Sequence, residues 1–280
     1  MDHYIRLGAD WAERQATLAS LRERVLCDAK QYNAARARYL PPSESYSTVE
    51  RFTSPDGDLC IANFEVCPLH GVTSVKKVYD ALQFFYFHLD ISFTQTSGNC
   101  VAREKPHERG LEADHTAQQR IVRTSPFGSL IESNQVVFSD YHAVDDEHGS
   151  GREFATIALD YVNEDELYPY QPAERLRQDM TATITLKTFR REQATSSSPF
   201  SDSLEDVYDV VLYRSYFTKV HKSTLNVPLE TFTNAEYAVE LCSKAVLRTV
   251  FDIVRELGPS STSMLGDETG GFPIQDGHSL

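Results

Sequence analysis

Histidine and acidic side chains come closest together in the segment that begins at His142 and includes Asp145, Asp146 and His148. Imidazole and carboxylate groups are the ligands that zinc and other transition metals take in proteins. Tight turns select the same Asp residues, followed here by Gly149, because they tolerate turn backbone conformations. We interpret the segment as a hairpin turn, and the sequence predicts no metal site.

Four arginines could hold a carboxylate or phosphate group, since a guanidinium binds such groups through two parallel hydrogen bonds. They are Arg175, Arg177, Arg190 and Arg191. The chain has 27 Lys and Arg against 41 Asp and Glu, a net charge of −14. We therefore interpret these arginines as partners of surface carboxylates. The acidic run 163–166 lacks the spacing of a calcium loop and is interpreted as a solvated bulge.

The sequence contains none of the motifs G-x-x-x-x-G-K-[ST], G-x-G-x-x-G after a strand, G-x-S-x-G or H-E-x-x-H. It predicts no catalytic residue, cofactor or metal. Its five cysteines are odd in number and scattered without C-x-x-C, which is typical of reduced thiols. We expect a cytoplasmic protein, with a nuclear location still open. Its negative charge disfavours nucleic acid as a partner, and no apolar run suits a secretory leader or a transmembrane segment.

The N-terminal 40 residues favour one long helix, which Pro41 and Pro42 stop. We assign residues 1–42 to this unit. Large apolar residues recur there every seven positions, Trp11, Leu18 and Val25 among them. Two interpretations remain open: a seam that pairs with a second copy or a helical partner, or packing on the chain's own domain.

From residue 47 the apolar pattern changes to a period of two, which indicates strands. The pattern predicts strands at 47–53 and 58–66, a helix at 74–90, a loop at 102–119, and strands at 120–141, 153–162, 176–190 and 207–218. Ser54 to Gly57 is a strong turn sequence between the first two strands. Pro126 and Gly128 mark a bend or an edge.

The strand 176–190 has the clearest alternation in the chain. Met180, Ala182, Ile184 and Leu186 share one face, while Thr181, Thr183, Thr185 and Lys187 share the other. A sheet with one face on the core and one in solvent gives this pattern. We expect Ile184 and Leu186 to point to the core and the threonines to face water.

Residues 233–257 show helical spacing, with a broad apolar stripe that includes Val246, Val250 and Phe251. A stripe this broad favours a helix that lies deep in a concave surface. Gly258 and Pro259 end the helix, and 258–280 has the composition of a disordered tail.

Two strands, an aromatic helix, a meander of antiparallel strands and one long C-terminal helix resemble the START-like, or helix-grip, family over residues 45–257. The resemblance implies an α+β fold: a curved antiparallel sheet wrapped around the long C-terminal helix, with the N-terminal helix in front. It also implies an apolar cavity for a lipid or other hydrophobic ligand. We expect eight residues to line this cavity: Ile157, Leu159, Tyr161, Ile184, Leu186, Val246, Val250 and Phe251.

The functional hypothesis is accordingly a non-enzymatic binding protein for a hydrophobic small molecule or lipid. Two alternatives from other classes remain open. A lyase, hydratase or cyclase could use a Tyr, His or acidic side chain in the same cavity as a general acid or base. A partner-binding regulatory scaffold would have a cavity filled by side chains.

Overall fold

The computed structural model describes residues 3–97, 101–103, 115–143, 153–191, 207–228, 230–232, 241 and 244–252. Its helices are α1 (Trp11–Ala37), α2 (Val75–Phe87) and α3 (Leu89–Ser97). Its strands are β1 (Arg6–Leu7), β2 (Tyr46–Thr53), β3 (Leu59–Leu69), β4 (Val101–Arg103), β5 (Thr116–Thr124), β6 (Leu130–His142), β7 (Phe154–Tyr161), β8 (Glu164–Asp165), β9 (Leu176–Arg190) and β10 (Tyr208–Val220). None of the helices in these ranges is long and apolar enough to cross a membrane.

Eight of the strands form one sheet in the order β2-β3-β10-β9-β7-β6-β5-β4. Neighbours pair antiparallel, apart from a short parallel contact between β6 and β9 at Ile131 and Leu176. The turn between β2 and β3 needs Gly57, whose φ of 90° is strained for residues with a Cβ. An α+β fold built on a large antiparallel sheet is thus confirmed, and the two short strands β1 and β8 form a separate parallel pair.

The helix α2 packs on one face of the sheet, which we call the inner face. Ser74 caps the helix, since its hydroxyl accepts a hydrogen bond from the Lys77 amide. Val75, Val78 and Leu82 recur at helical spacing and are fully buried in the main apolar cluster. Residues 244–252 are also helical, and Val246 and Val250 join the same cluster. The inner face therefore lies beneath two helical segments.

The helix α1 packs on the opposite face of the sheet, which we call the outer face. Leu18 and Val25 are 2% and 0% exposed and contact the sheet residues Val136, Phe138 and Ala158 in one cluster. These two positions are therefore buried by packing within the chain. Pairing of this segment with a second copy or a helical partner stays a prediction.

The N-terminal residues correct the prediction of a helix that starts at residue 1. Residues 3–10 precede α1, and Arg6 and Leu7 pair with Glu164 and Asp165 of β8. The helix begins only after Asp10, whose carboxylate accepts a hydrogen bond of 2.9 Å from the Glu13 amide. This cap sets the start of the helix, and Gly8, a residue of low helix propensity, lies just before it.

The threonine face of β9 corrects a second prediction, because it does not face water. Thr181, Thr183 and Thr185 are 7%, 2% and 1% exposed beneath α1. The Asn33 side chain of α1 donates to Thr185 Oγ1 (3.1 Å) and accepts from Thr183 Oγ1 (2.9 Å) and Ser215 Oγ (2.9 Å). A polar position on a helix thus covers a polar stripe on the sheet.

The interval 102–119 was predicted as a loop, but β4 ends at Arg103 and β5 begins at Thr116. The start of β5 lacks the apolar alternation that predicts a strand, because the side chains on its outer face are polar and are buried in pairs. Gln118 accepts from Arg14 at 3.0 Å, and Arg120 donates to Glu132 at 2.8 Å. The predicted strand 120–141 is split into β5 and β6 by a turn in which Gly128 has a φ of 82°.

Most of the predicted helix 233–257 and all of the predicted tail 258–280 lie outside the described residues. Within 233–257, position 241 and residues 244–252 are described, and all are helical. The predicted turn at Asp145, Asp146 and His148 also lies outside the described residues.

Candidate functional site

The apolar part of the inner face brings together six of the eight predicted cavity residues. Ile157 lies opposite Ile184 in the pairing of β7 with β9, and Ala155 lies opposite Leu186. Because side chains alternate along a strand, Leu159 follows on the same face. The cluster contains Ile157, Leu159, Ile184, Leu186, Val246 and Val250, each 1% exposed or less.

The other two predicted residues lie outside this cluster. Tyr161 is 9% exposed, and its ring centroid lies 6.0 Å from the guanidinium carbon of Arg177. Phe251 is 43% exposed, although it is adjacent to the fully buried Val250. The helix 244–252 thus turns Val246 and Val250 toward the sheet and Phe251 toward solvent.

A polar pair interrupts the apolar inner face at its β3 side. Arg214 is paired in register with Ile184, so both belong to the same row across the sheet. Its guanidinium forms an ion pair with Glu65, which also accepts a hydrogen bond of 3.1 Å from Asn63 Nδ2. The charge of Arg214 is therefore neutralised within the sheet.

A second arginine on the inner face has no such neutralising partner in the part of the chain that the structure describes. Arg123 of β5 is 5% exposed and donates from Nη2 to the amide oxygen of Gln178 at 2.8 Å. Burial lowers its pKa to about 10. Among the described residues, Nη1 has no hydrogen-bond partner. Within the described ranges, this buried guanidinium is thus held by a neutral side chain.

Three further side-chain atoms on inner-face strands are buried without a partner in the described part of the chain. They are Gln119 Oε1, Asn63 Oδ1 and Thr218 Oγ1. The Gln119 amide nitrogen donates to the carbonyl oxygens of Tyr86 and Phe87, both at 2.8 Å, which orients its oxygen away from α2. These atoms could accept or donate hydrogen bonds to a bound molecule or water.

A hydroxyl network links α2 to the sheet. Tyr79 donates to Ser139 Oγ at 3.0 Å, and Gln83 donates to both hydroxyls at 3.1 and 3.0 Å. Burial raises the pKa of Tyr79, so its phenol stays protonated at neutral pH. The network can donate and orient hydrogen bonds, but its phenol is a poor general base.

Three of the residues that the sequence suggested for metal or anion chemistry are described and paired with carboxylates. His142 lies 2.8 Å from Asp140, and Arg177 donates to Asp179 at 2.7 Å. Arg191 pairs with Asp209. Across the described residues, no group of three or more His, Cys, Asp or Glu side chains could hold a metal ion.

The acidic run 163–166 is only partly solvated, because Asp165 is 4% exposed. Its carboxylate accepts two hydrogen bonds from Arg14, at 2.7 and 2.9 Å, beneath α1. Burial acts to raise the pKa of Asp165, but Arg14 and Asn134 outweigh it and the pKa is lowered. This pair joins α1 to β8.

Two cavities lie on the outer face beside α1, and the sequence had not predicted them. The larger, of about 300 Å³, is lined by residues of α1, β2, β3, β9 and β10, including Arg36, Glu50 and Thr181. The smaller, of about 180 Å³, lies beside Asn33 and Lys187. Hydroxyl and charged side chains in both make these cavities more polar than the inner face.

Comparison with known proteins identifies no family, since no protein-family model and no curated protein matches the chain. Among solved structures, the di-domain ARO/CYC BexL from the BE-7585A biosynthetic pathway aligns with a TM-score of 0.32 and 12% identity. That alignment covers 89% of this chain and 63% of BexL, so the chain spans under two thirds of that protein. Ara h 8.0201 aligns with a TM-score of 0.27 and 12% identity, over 75% of this chain and 99% of that one. At these values neither likeness says anything about function.

Proposed function

We propose that the chain is a non-enzymatic binding protein that takes a hydrophobic small molecule between the inner face, α2 and the helix 244–252. Ligand sites of this class are mostly apolar, with a few polar groups that orient the molecule. The inner face has that composition: Ile157, Leu159 and Ile184 lie in its apolar cluster on β7 and β9, and the same face carries Arg123 and Gln119 on β5 and Thr218 on β10.

The observation that carries the proposal is the set of unpartnered polar atoms on strands that otherwise bury apolar side chains. In a close-packed interior, a buried donor or acceptor without a partner costs about 1–3 kcal/mol. Native proteins keep few such atoms, and those that remain call for a cause such as a bound molecule or water. Arg123 Nη1, Gln119 Oε1, Asn63 Oδ1 and Thr218 Oγ1 are four on three strands. A ligand that contacts the inner face would satisfy them.

The test fills the proposed space with one large side chain. Val250 is fully buried in the inner cluster, so Val250→Trp would occupy the ligand's volume while an open space accommodates the ring. The matched control is Phe251→Trp, one position along the same helix and 43% exposed. We expect the wild type and the control to bind the neutral dye Nile red, and Val250→Trp to bind it at least about tenfold more weakly with its fold retained.

Native mass spectrometry of the purified wild type supplies a second readout, because a retained ligand adds a mass increment. Two results would refute the proposal. No Nile red uptake by the wild type, with a Val250→Trp variant destabilised by the 1–3 kcal/mol typical of overpacking, would favour the scaffold alternative. Turnover of a bound molecule in mass spectra would favour the lyase, hydratase or cyclase alternative.

A further inference from the structure

We propose that the ligand carries a carboxylate, and that Arg123 with Gln178 binds it at the end of the inner face formed by β5, β6 and β9. This inference rests on the proposed function and adds the chemical class of the ligand to it. It follows from the charge balance of the buried arginines, from the geometry of Arg123 and from the apolar surface around it.

Charge balance sets Arg123 apart from the other buried arginines of the described chain. Arg14 pairs with Asp165 at 2.7 Å, Arg120 pairs with Glu132 at 2.8 Å, and Arg214 pairs with Glu65. Within the described ranges, Arg123 has only the neutral Gln178 oxygen. A buried cation without a counter-charge is costly, and proteins pair such groups almost without exception. A ligand anion would provide the missing counter-charge.

The hydrogen bond to Gln178 holds the guanidinium in a usable orientation. Because Nη2 donates to Gln178 Oε1 at 2.8 Å, the guanidinium plane is fixed and the unpartnered Nη1 is left free for a ligand. The guanidinium thus presents an N–H of Nη1 to a ligand oxygen, and arginine forms charge-assisted hydrogen bonds of this kind with a carboxylate.

The surroundings of Arg123 indicate an amphipathic ligand. Its register partner on β6 is Ile131, which in turn is paired with Leu176 of β9. Ile131 and Leu176 are each 1% exposed and belong to an apolar cluster with Val220. The carboxylate would thus be bound beside an apolar cluster that lies on the same face of the sheet as the main inner cluster. A single guanidinium neutralises one negative charge, which suits a carboxylate better than a dianionic phosphate.

The experiment compares two probes that share one polyene chain, the anionic cis-parinaric acid and its neutral methyl ester, by fluorescence titration of the full chain at pH 7.5. We expect the wild type to bind the acid at least about tenfold more tightly than the ester. Arg123→Gln should lose at least about tenfold in affinity for the acid and less than about twofold for the ester. The control Arg24→Gln removes the same charge from a side chain that is 74% exposed on α1, and it should change neither affinity.

Stability without ligand separates a binding role from a structural one. Arg123→Gln and Arg123→Met remove an unneutralised buried charge, so their midpoints of thermal unfolding should equal or exceed that of the wild type. A lower midpoint with equal losses for acid and ester would show that Arg123 supports the fold, and would overturn the inference.

Wild-type data alone also decide the question if the variants do not fold. Equal affinities for acid and ester overturn the carboxylate inference while the proposed function stands. Nile red uptake without binding of either parinaric probe has the same consequence. Failure to bind any of the three probes overturns both proposals. Tighter binding of dodecyl phosphate than of dodecanoate, measured by displacement of Nile red, would overturn the assignment to a carboxylate.

Discussion

Replacement of Asn33 by alanine should weaken the attachment of α1 to the sheet while leaving the inner face intact. The Asn33 side chain is 1% exposed and makes three hydrogen bonds of 2.9 to 3.1 Å to hydroxyls of Thr183, Thr185 and Ser215. Each bond contributes about 1 kcal/mol net to the free energy of unfolding, and in the variant the three buried hydroxyls lose the partner that α1 gives them. Alanine returns about 0.5 kcal/mol through its higher helix propensity.

The free energy of unfolding of Asn33→Ala should therefore fall by about 2–3 kcal/mol, measured by urea denaturation followed by circular dichroism. Gln31→Ala is the matched control, since Gln31 lies two positions away on the exposed side of α1. The control should stay within about 0.5 kcal/mol of the wild type, as surface substitutions usually do. A loss below about 1 kcal/mol in Asn33→Ala would refute the argument that this side chain attaches the helix to the sheet.

Two further substitutions test the inner core and the buried ion pair. Leu186→Ala removes a side chain that is 1% exposed in the inner cluster. It should lower the free energy of unfolding by about 2–5 kcal/mol in urea denaturation. A change within about 0.5 kcal/mol would show that Leu186 does not point into the core. Asp165→Asn leaves Arg14 buried without its counter-charge, and it should cost about 3–5 kcal/mol at pH 7. The folded-state pKa of Asp165 is lowered, so its contribution to the free energy of unfolding is complete above the unfolded-state pKa and is lost as the pH falls through the folded-state pKa. The difference in unfolding free energy between wild type and Asp165→Asn should therefore shrink below about pH 4. A constant difference down to about pH 2 would contradict the pairing.

The sequence predicted well those elements whose pattern is apolar on one side. The strand predicted at 176–190 is observed as Leu176–Arg190, and the helix predicted at 74–90 contains Val75–Phe87. In both, buried aliphatic and aromatic residues alternate with the period of the element, because the core selects them directly. The inner-face grouping of Ile157 with Ile184 follows from the same alternation.

The sequence failed where polar residues are buried. A stripe of threonines has the same composition whether it faces water or a helix that offers Asn33, so the covering of the outer face cannot be derived from β9 alone. The start of β5, residues 116–119, was assigned to a loop for the same reason, since the partner of Gln118 is Arg14, 104 residues away in sequence. Arg123 resembles any strand arginine in the sequence, and its isolation becomes visible only when the neighbouring strands are in place.

The attachment of α1 to the outer face has a consequence for the order of events during synthesis. Asn33 and Ser215 are 182 residues apart, and His3 is hydrogen-bonded to Asp160, 157 residues later. At the usual translation rates of 5–20 residues per second, the helix leaves the ribosome roughly 10–40 s before the strands that cover it. An apolar helix surface exposed for so long would invite aggregation. The side of α1 that becomes buried includes Arg14 and Asn33 as well as Leu18 and Val25, which keeps the nascent helix compatible with water until β9 and β10 emerge.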